Sequence, residues 1–142
     1  MIIPDVNVLV YAHNAGVPEH ERTRAWWEAT VNAAEPVGLA WAAVLGFIRL
    51  MSNPAVTARP QPPEALLARV EALLAVPGVR LIAPGPRHAT LMKRLFETTG
   101  AGPRLVTDIH LATLAIELGA TLATNDADFT RFPGLQTVNP LA

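Results

Sequence analysis

Apolar and polar positions along this chain alternate in short blocks that switch between two periods. Brief runs of β-prone residues at 1–3, 37–39, Val79–Ile82, Thr121–Ala123 and 135–138 predict strands. Longer blocks with helical spacing lie between them. Val6–His13 is apolar and Asp5 stands where it would cap a first short helix, which Gly16 and Pro18 end. Residues 19–34 predict a second helix, with Thr23, Trp26, Trp27, Thr30, Val31 and Ala34 on one broad side and Glu21, Arg24 and Glu28 on the other. Trp41–Met51 predicts a third helix, apolar enough to be expected in the interior, and Asn53-Pro54 stops it. Residues 55–63 carry Pro60, Pro62 and Pro63 and predict an ordered loop; Pro63 suits the first turn of a fourth helix bearing Leu66, Leu67, Val70, Leu73 and Leu74. Residues 87–98, stopped by Gly100, and 107–118, closed by Gly119, predict the fifth and sixth helices, and 126–132 a turn or helical stub.

Short apolar strands alternating with helices predict one α/β domain, residues 1–142, with a largely parallel sheet. With 51% hydrophobic residues there is ample material for a core. The formal net charge of −1 supplies no global field that would draw in nucleic acid, so any such binding must be local. Zero cysteines exclude disulfides, thiolate zinc sites and cysteine nucleophiles and fit a reducing, cytoplasmic setting. The start of the chain shows no targeting segment, and no apolar stretch approaches the roughly 20 residues that span a bilayer, so no membrane partner is expected.

The four aspartates change the picture most. Asp5, Asp108, Asp126 and Asp128 fall at three places where a helix or turn follows an apolar run, whereas the eight glutamates lie mostly on amphipathic helices. In parallel sheets ligands bind beyond the carboxyl ends of the strands, and Asp5 and Asp126 follow strand candidates directly. Asp108 lies in the first turn of the sixth helix, on a face that continues through the small residues Ala112 and Ala115. Each aspartate alone has an ordinary explanation as a cap, a helix-dipole partner or a turn residue. Together they suggest a cluster of hard oxygen ligands for a divalent cation, with some pKa values raised by mutual repulsion.

These segments carry a resemblance. Ile3-Pro4-Asp5-Val6-Asn7-Val8-Leu9, Val106-Thr107-Asp108-Ile109-His110-Leu111-Ala112 and Thr124-Asn125-Asp126-Ala127-Asp128-Phe129 resemble PIN-domain ribonucleases, and more narrowly the VapC toxins of bacterial toxin–antitoxin pairs. The resemblance implies a three-layer α/β/α sandwich with a short, mostly parallel sheet. It also implies an endoribonuclease dependent on magnesium or manganese (Mg2+ or Mn2+) that leaves a 5′-phosphate and a 3′-hydroxyl. By the same resemblance Asp5, Asp108 and Asp126 hold the metal, Asp128 is a fourth acid beside it, and Asn7, Thr107 and Asn125 are supporting polar residues. A VapB-like antitoxin, an RNA substrate and a homodimer are the implied partners. One position departs from the pattern: Gly46 stands in the third helix where the family usually has a glutamate. That departure opens a second reading, a weak or inactive PIN-like binding module.

Other chemistries have less support. A phosphatase using Asp5 as nucleophile usually wants an acid two residues on, where this chain has Asn7. There is no His-x-x-x-His pair for zinc, Ser52 is the only serine, and Gly100-Ala101-Gly102 lacks the lysine and preceding strand of a phosphate-binding loop. Arg49 and Arg104 are the best-placed arginines for RNA contact. Trp26 and Trp27, adjacent on one helix, must diverge, so one tryptophan is expected in a partner surface.

Overall fold

A computed structural model describes all residues, 1–142. Five strands, β1 (Ile2–Pro4), β2 (Val37–Ala40), β3 (Val79–Ile82), β4 (Thr121–Ala123) and β5 (Gln136–Val138), form one sheet in the order β3-β2-β1-β4-β5. Every pairing is parallel. Six helices connect them: α1 (Val6–His13), α2 (His20–Val31), α3 (Trp41–Met51), α4 (Pro63–Leu74), α5 (His88–Thr99) and α6 (Val106–Leu118). A short 3-10 turn (Pro103–Leu105) precedes α6 and another (Ala127–Arg131) follows β4.

The strand order explains the layers. From β1 the chain steps outward through β2 to β3, then crosses back to β4 on the other side of β1. Parallel crossovers are right-handed, so reversing direction moves α5 and α6 to the opposite face from α1–α4. The result is the expected α/β/α sandwich, with the switch point between β1 and β4.

Backbone chemistry shapes that point. Ile2 N–H bonds toward the β2 side, to Pro36 O, whereas Asp5 N–H bonds to Ala123 O at the end of β4. Pro4 shares the parity of Ile2 but has no N–H, so the β1–β2 ladder stops while β1 stays paired with β4 to its last residue. The chain then turns at Asp5, whose Oδ1 accepts from Val6 N–H at 2.7 Å and starts α1.

The core runs through Ile3, Leu39 and Leu122 of the sheet, Val8 and Phe47 on one face and Ile109 and Leu114 on the other. Ala112 and Ala115 are fully buried, so α6 lies close against the sheet. α5 and α6 end on Gly100 and Gly119 at φ 65° and 60°, the left-handed geometry that favours glycine.

Three expectations need correction. α2 ends at Val31, not at residue 34, because Asn32 caps it: its backbone N–H and its Nδ2 both donate to Glu28 O. α3 is not wholly interior. Ala43, Val44, Gly46, Phe47 and Met51 are buried, but Trp41 and Leu45 are about half exposed on the opposite side with Arg49. Of the tryptophan pair, Trp27 is buried and Trp26 partly so; the outward tryptophan is Trp41. No helix is long and apolar enough to cross a membrane.

Candidate active site

The site is built at the switch point from two strand-end loops and the first turn of a helix. Asp5 leaves β1, Thr124, Asn125 and Asp126 leave β4, and Asp108 occupies the first turn of α6. Asp5 is almost wholly buried, at 6% exposure, and both its oxygens are engaged. Oδ1 accepts from Val6 N–H, and Oδ2 accepts from Thr124 Oγ1 at 2.8 Å. The same Thr124 oxygen accepts from Asp126 N–H at 3.0 Å, and Asp126 Oδ1 accepts from Asp128 N–H at 2.9 Å. One buried hydroxyl thus ties the strand-end carboxylate of β1 to the acidic turn after β4. The sequence reading did not single out Thr124; its signal was a polar residue directly after an apolar strand and before Asn125-Asp126.

The acids are close enough to feel one another's charge. Burial raises the pKa of Asp5, hydrogen bonds from Thr124 and Val6 pull it back, and the Asp126 charge adds to the rise. Asp108 is pushed up to about 6, first by burial and then by the charges of Asp5, Asp126 and Asp128, with Arg104 opposing. All four aspartates therefore sit within one electrostatic neighbourhood. They do not converge into a ready-made cage: no three acidic or histidine side chains meet closely enough to clasp an ion by themselves. Magnesium usually keeps several waters and takes one or two carboxylates, so an open, all-oxygen set of this kind suits it.

The supporting residues divide. Asn7, on α1, holds a buried Oδ1 with no hydrogen-bond partner, a free acceptor two residues from Asp5. Asn125 is half-buried beside Asp126, and Thr107 is exposed beside Asp108. Arg104, in the 3-10 turn before α6, is exposed and acts on Asp108 through its charge. Arg49 lies in the last turn of α3, exposed and without an ion pair.

Gly46 has a packing reason. A Cβ there would come within 2.8 Å of Val6 Cγ2 and 3.1 Å of Val6 Cγ1. Val6 fills the space into which a side chain from this position would grow, and α3 gains a close approach to α1.

Fold and site together define a class: a doubly wound α/β protein with an anionic, oxygen-rich cluster at the switch point of its sheet. The chain belongs to the PIN-domain family, whose model matches residues 2–135. Within it the chain is VapC-like. It is 40% identical to Ribonuclease VapC33 of Mycobacterium tuberculosis over 141 residues, covering 99% of each chain. It is 39% identical to Ribonuclease VapC37 of the same organism, covering 100% of this chain and 99% of the relative. The fold is also that of a VapBC2 crystal structure from Rickettsia felis, bound to a DNA fragment from their promoter, with a TM-score of 0.68, 21% identity and 98% of both chains covered.

Proposed function

We propose that this protein is a divalent-metal-dependent endoribonuclease that acts as the toxin of a VapBC-type pair in the cytoplasm. The observation that carries the reading is the Asp5–Thr124–Asp126 linkage, with Asp108 titrating near 6 beside it. The ribonuclease names of its relatives, at about two residues in five identical over nearly the whole chain, support the activity. The likeness to a VapBC structure supports a VapB-like antitoxin as partner.

Asp5, Asp108 and Asp126 are the residues that would hold Mg2+ or Mn2+, with Asn7 Oδ1 available to a ligand water. Such a cation supplies Lewis acidity, making water acidic enough to attack a phosphodiester near neutral pH and offsetting charge on the scissile phosphate. The chain's own residues do the rest. Asp5 is immobilised by two hydrogen bonds and keeps its carboxylate in one orientation. Asp108, partly open to solvent, has its charge disfavoured in the metal-free protein by burial and by Asp5, Asp126 and Asp128, and a bound cation would relieve that repulsion. Arg104 and Arg49, both exposed, would meet RNA phosphates, and Trp41 and Leu45 would offer apolar surface to a second protomer or the antitoxin.

Incubating purified protein with RNA and Mn2+ tests the reading. Cleavage is expected, is abolished by Asp5→Asn or Asp108→Asn with the circular dichroism spectrum unchanged, and is stopped by chelation. Cleavage that persists in excess chelator overturns the metal mechanism. A second reading, a PIN-like module that binds without cutting, is favoured by Gly46, which leaves α3 with no carboxylate to offer the site. Under that reading the Asp5→Asn variant binds RNA as the wild type does and neither cleaves it at any Mn2+ concentration.

A further inference from the structure

A second concavity lies at the opposite end of α1 from Asp5; the helix's 8 residues separate the two by about 12 Å. It has a volume of about 620 Å³ and includes His13 and Asn14 from the end of α1, Thr57, Arg59 and Gln61 from the α3–α4 loop, and Arg69 of α4. No acidic residue lines it. Neither Arg59 nor Arg69 forms an ion pair. Two smaller hollows beside it are also lined by His13 and Arg69. The acid there, Glu28, is already bonded to Arg24 Nε at 2.9 Å. In a chain of net charge −1, two unpaired guanidinium groups over one cleft are a local excess of positive charge.

The polar wall is rich in free donors. Thr57 Oγ1 accepts from Arg59 N–H at 3.3 Å, which leaves the hydroxyl proton to donate. Asn14 Oδ1 accepts from Gly16 N–H at 3.0 Å, which leaves its amide N–H groups free. The backbone N–H groups of Ala15 and Ala58, also on the wall, make no hydrogen bond within the chain. His13 Nδ1–H donates to Leu9 O at 2.7 Å, so the ring is held in one tautomer. Burial lowers the pKa of that ring, the bond to Leu9 opposes the shift, and the charges of Arg69 and His20 add to the lowering.

We propose that this cleft is a phosphate-binding site, separate from the acidic cluster, that takes the phosphate of a nucleotide, either free or within an RNA strand. Guanidinium groups match phosphate oxygens in paired hydrogen bonds. The volume exceeds a bare phosphate and falls in the range of small-ligand sites. Met51, Val17 and Val56 add an apolar side that suits a sugar or base.

The test titrates the full-length protein in chelator with 5′-AMP, following 15N–1H amide shifts, and in parallel titrates the Asp5→Asn protein with a short single-stranded RNA by fluorescence anisotropy across several salt concentrations. Arg59→Gln/Arg69→Gln is the comparison, its fold checked by thermal melting. For the free nucleotide, shifts are expected at residues 13–17, 56–59, 61 and 69, with affinity at least tenfold weaker in the double variant. For RNA, the slope of log affinity against log salt falls in magnitude by about 1.4 in the double variant, about 0.7 per lost phosphate contact on a single strand. Either result supports the site and identifies its source. No shifts in the cleft together with an unchanged salt slope overturns it, as does binding of an acidic peptide there with no response to AMP or RNA. Neither arm reads cleavage, so a failure of the ribonuclease reading is distinguishable from a failure of this one.

Discussion

Asp108 is the residue at which stability and function are opposed. Its folded pKa, about 6, lies above the ordinary aspartate value, because burial and three neighbouring carboxylates disfavour its charge. A raised carboxyl pKa stabilises the fold fully below the unfolded value, near 4, and that stabilisation is lost as pH rises through about 6. The metal-free protein should therefore melt at lower temperature at pH 7 than at pH 5, and Asp108→Asn should flatten that dependence. Because the side chain is partly exposed, solvent screening reduces the effect to about 1 kcal/mol. Scanning calorimetry in chelator across that range checks it; a wild-type melting point indifferent to pH, or a variant with the same slope, contradicts the repulsion. Thr124 is the complementary case. Thr124→Val removes the hydroxyl that bonds Asp5 Oδ2 and leaves a buried oxygen without its partner, at a cost of about 2 kcal/mol in denaturant unfolding at pH 7. Thr124→Ser keeps the hydroxyl and should recover most of that loss.

Among the elements, α1 and α3 meet at Gly46 and Val6. Gly46→Ala forces a Cβ to within 2.8 Å of a branched side chain that can yield only by rotating or by moving the helix. Overpacking of this kind costs about 1–3 kcal/mol, against the small gain of replacing a helical glycine. The double variant Gly46→Ala/Val6→Ala should lose much less than the sum of the singles, read as a double-mutant cycle in urea; strict additivity would show that the two do not touch. On the other face, α5 is pinned to α6 by a partly buried polar chain. His88 Nδ1–H donates to Glu117 Oε1 at 2.5 Å, and His88 Nε2 and His110 Nδ1 are joined by a hydrogen bond of 2.9 Å. The loop before α5 closes over the same carboxylate, since a Cβ on Gly85 would lie 2.7 Å from Glu117 Oε2. Removing the histidine leaves that partly buried acid without its partner, so His88→Ala should destabilise the protein by about 2 kcal/mol, whereas loss of the exposed Lys93–Glu97 pair should cost far less.

At the scale of the whole molecule, a cation that binds only the folded chain stabilises it by mass action. A site that concentrates negative charge without a complete cage should show this clearly. At about a hundred times its Kd, Mn2+ should add about 2.7 kcal/mol, raising the melting temperature of the wild type but not of Asp5→Asn. An equal rise in both proteins would place the ion elsewhere. Much of the architecture was legible beforehand for local reasons: Asp5 begins α1, Pro63 opens α4, Gly100 and Gly119 close α5 and α6, and alternation of strand and helix leads to a parallel sheet. The three acidic segments were legible too, since short carboxylates beyond strand ends are a local pattern. The rest depended on distance in space. Thr124 bonds Asp5 across 119 residues of sequence, and His88 meets Glu117 across 29. Gly46 is explained only by Val6 on another helix, and Arg59 and Arg69 share a cleft only because α4 packs back on α3 and brings Arg69 to the end of α1. Caps, breakers and periodicity are properties of neighbouring residues, so the sequence by itself determined the elements and the kind of chemistry. Which side chains share a pocket, which face of α3 is left bare and how far a pKa moves are set by packing between distant segments, and only the tertiary structure decided them.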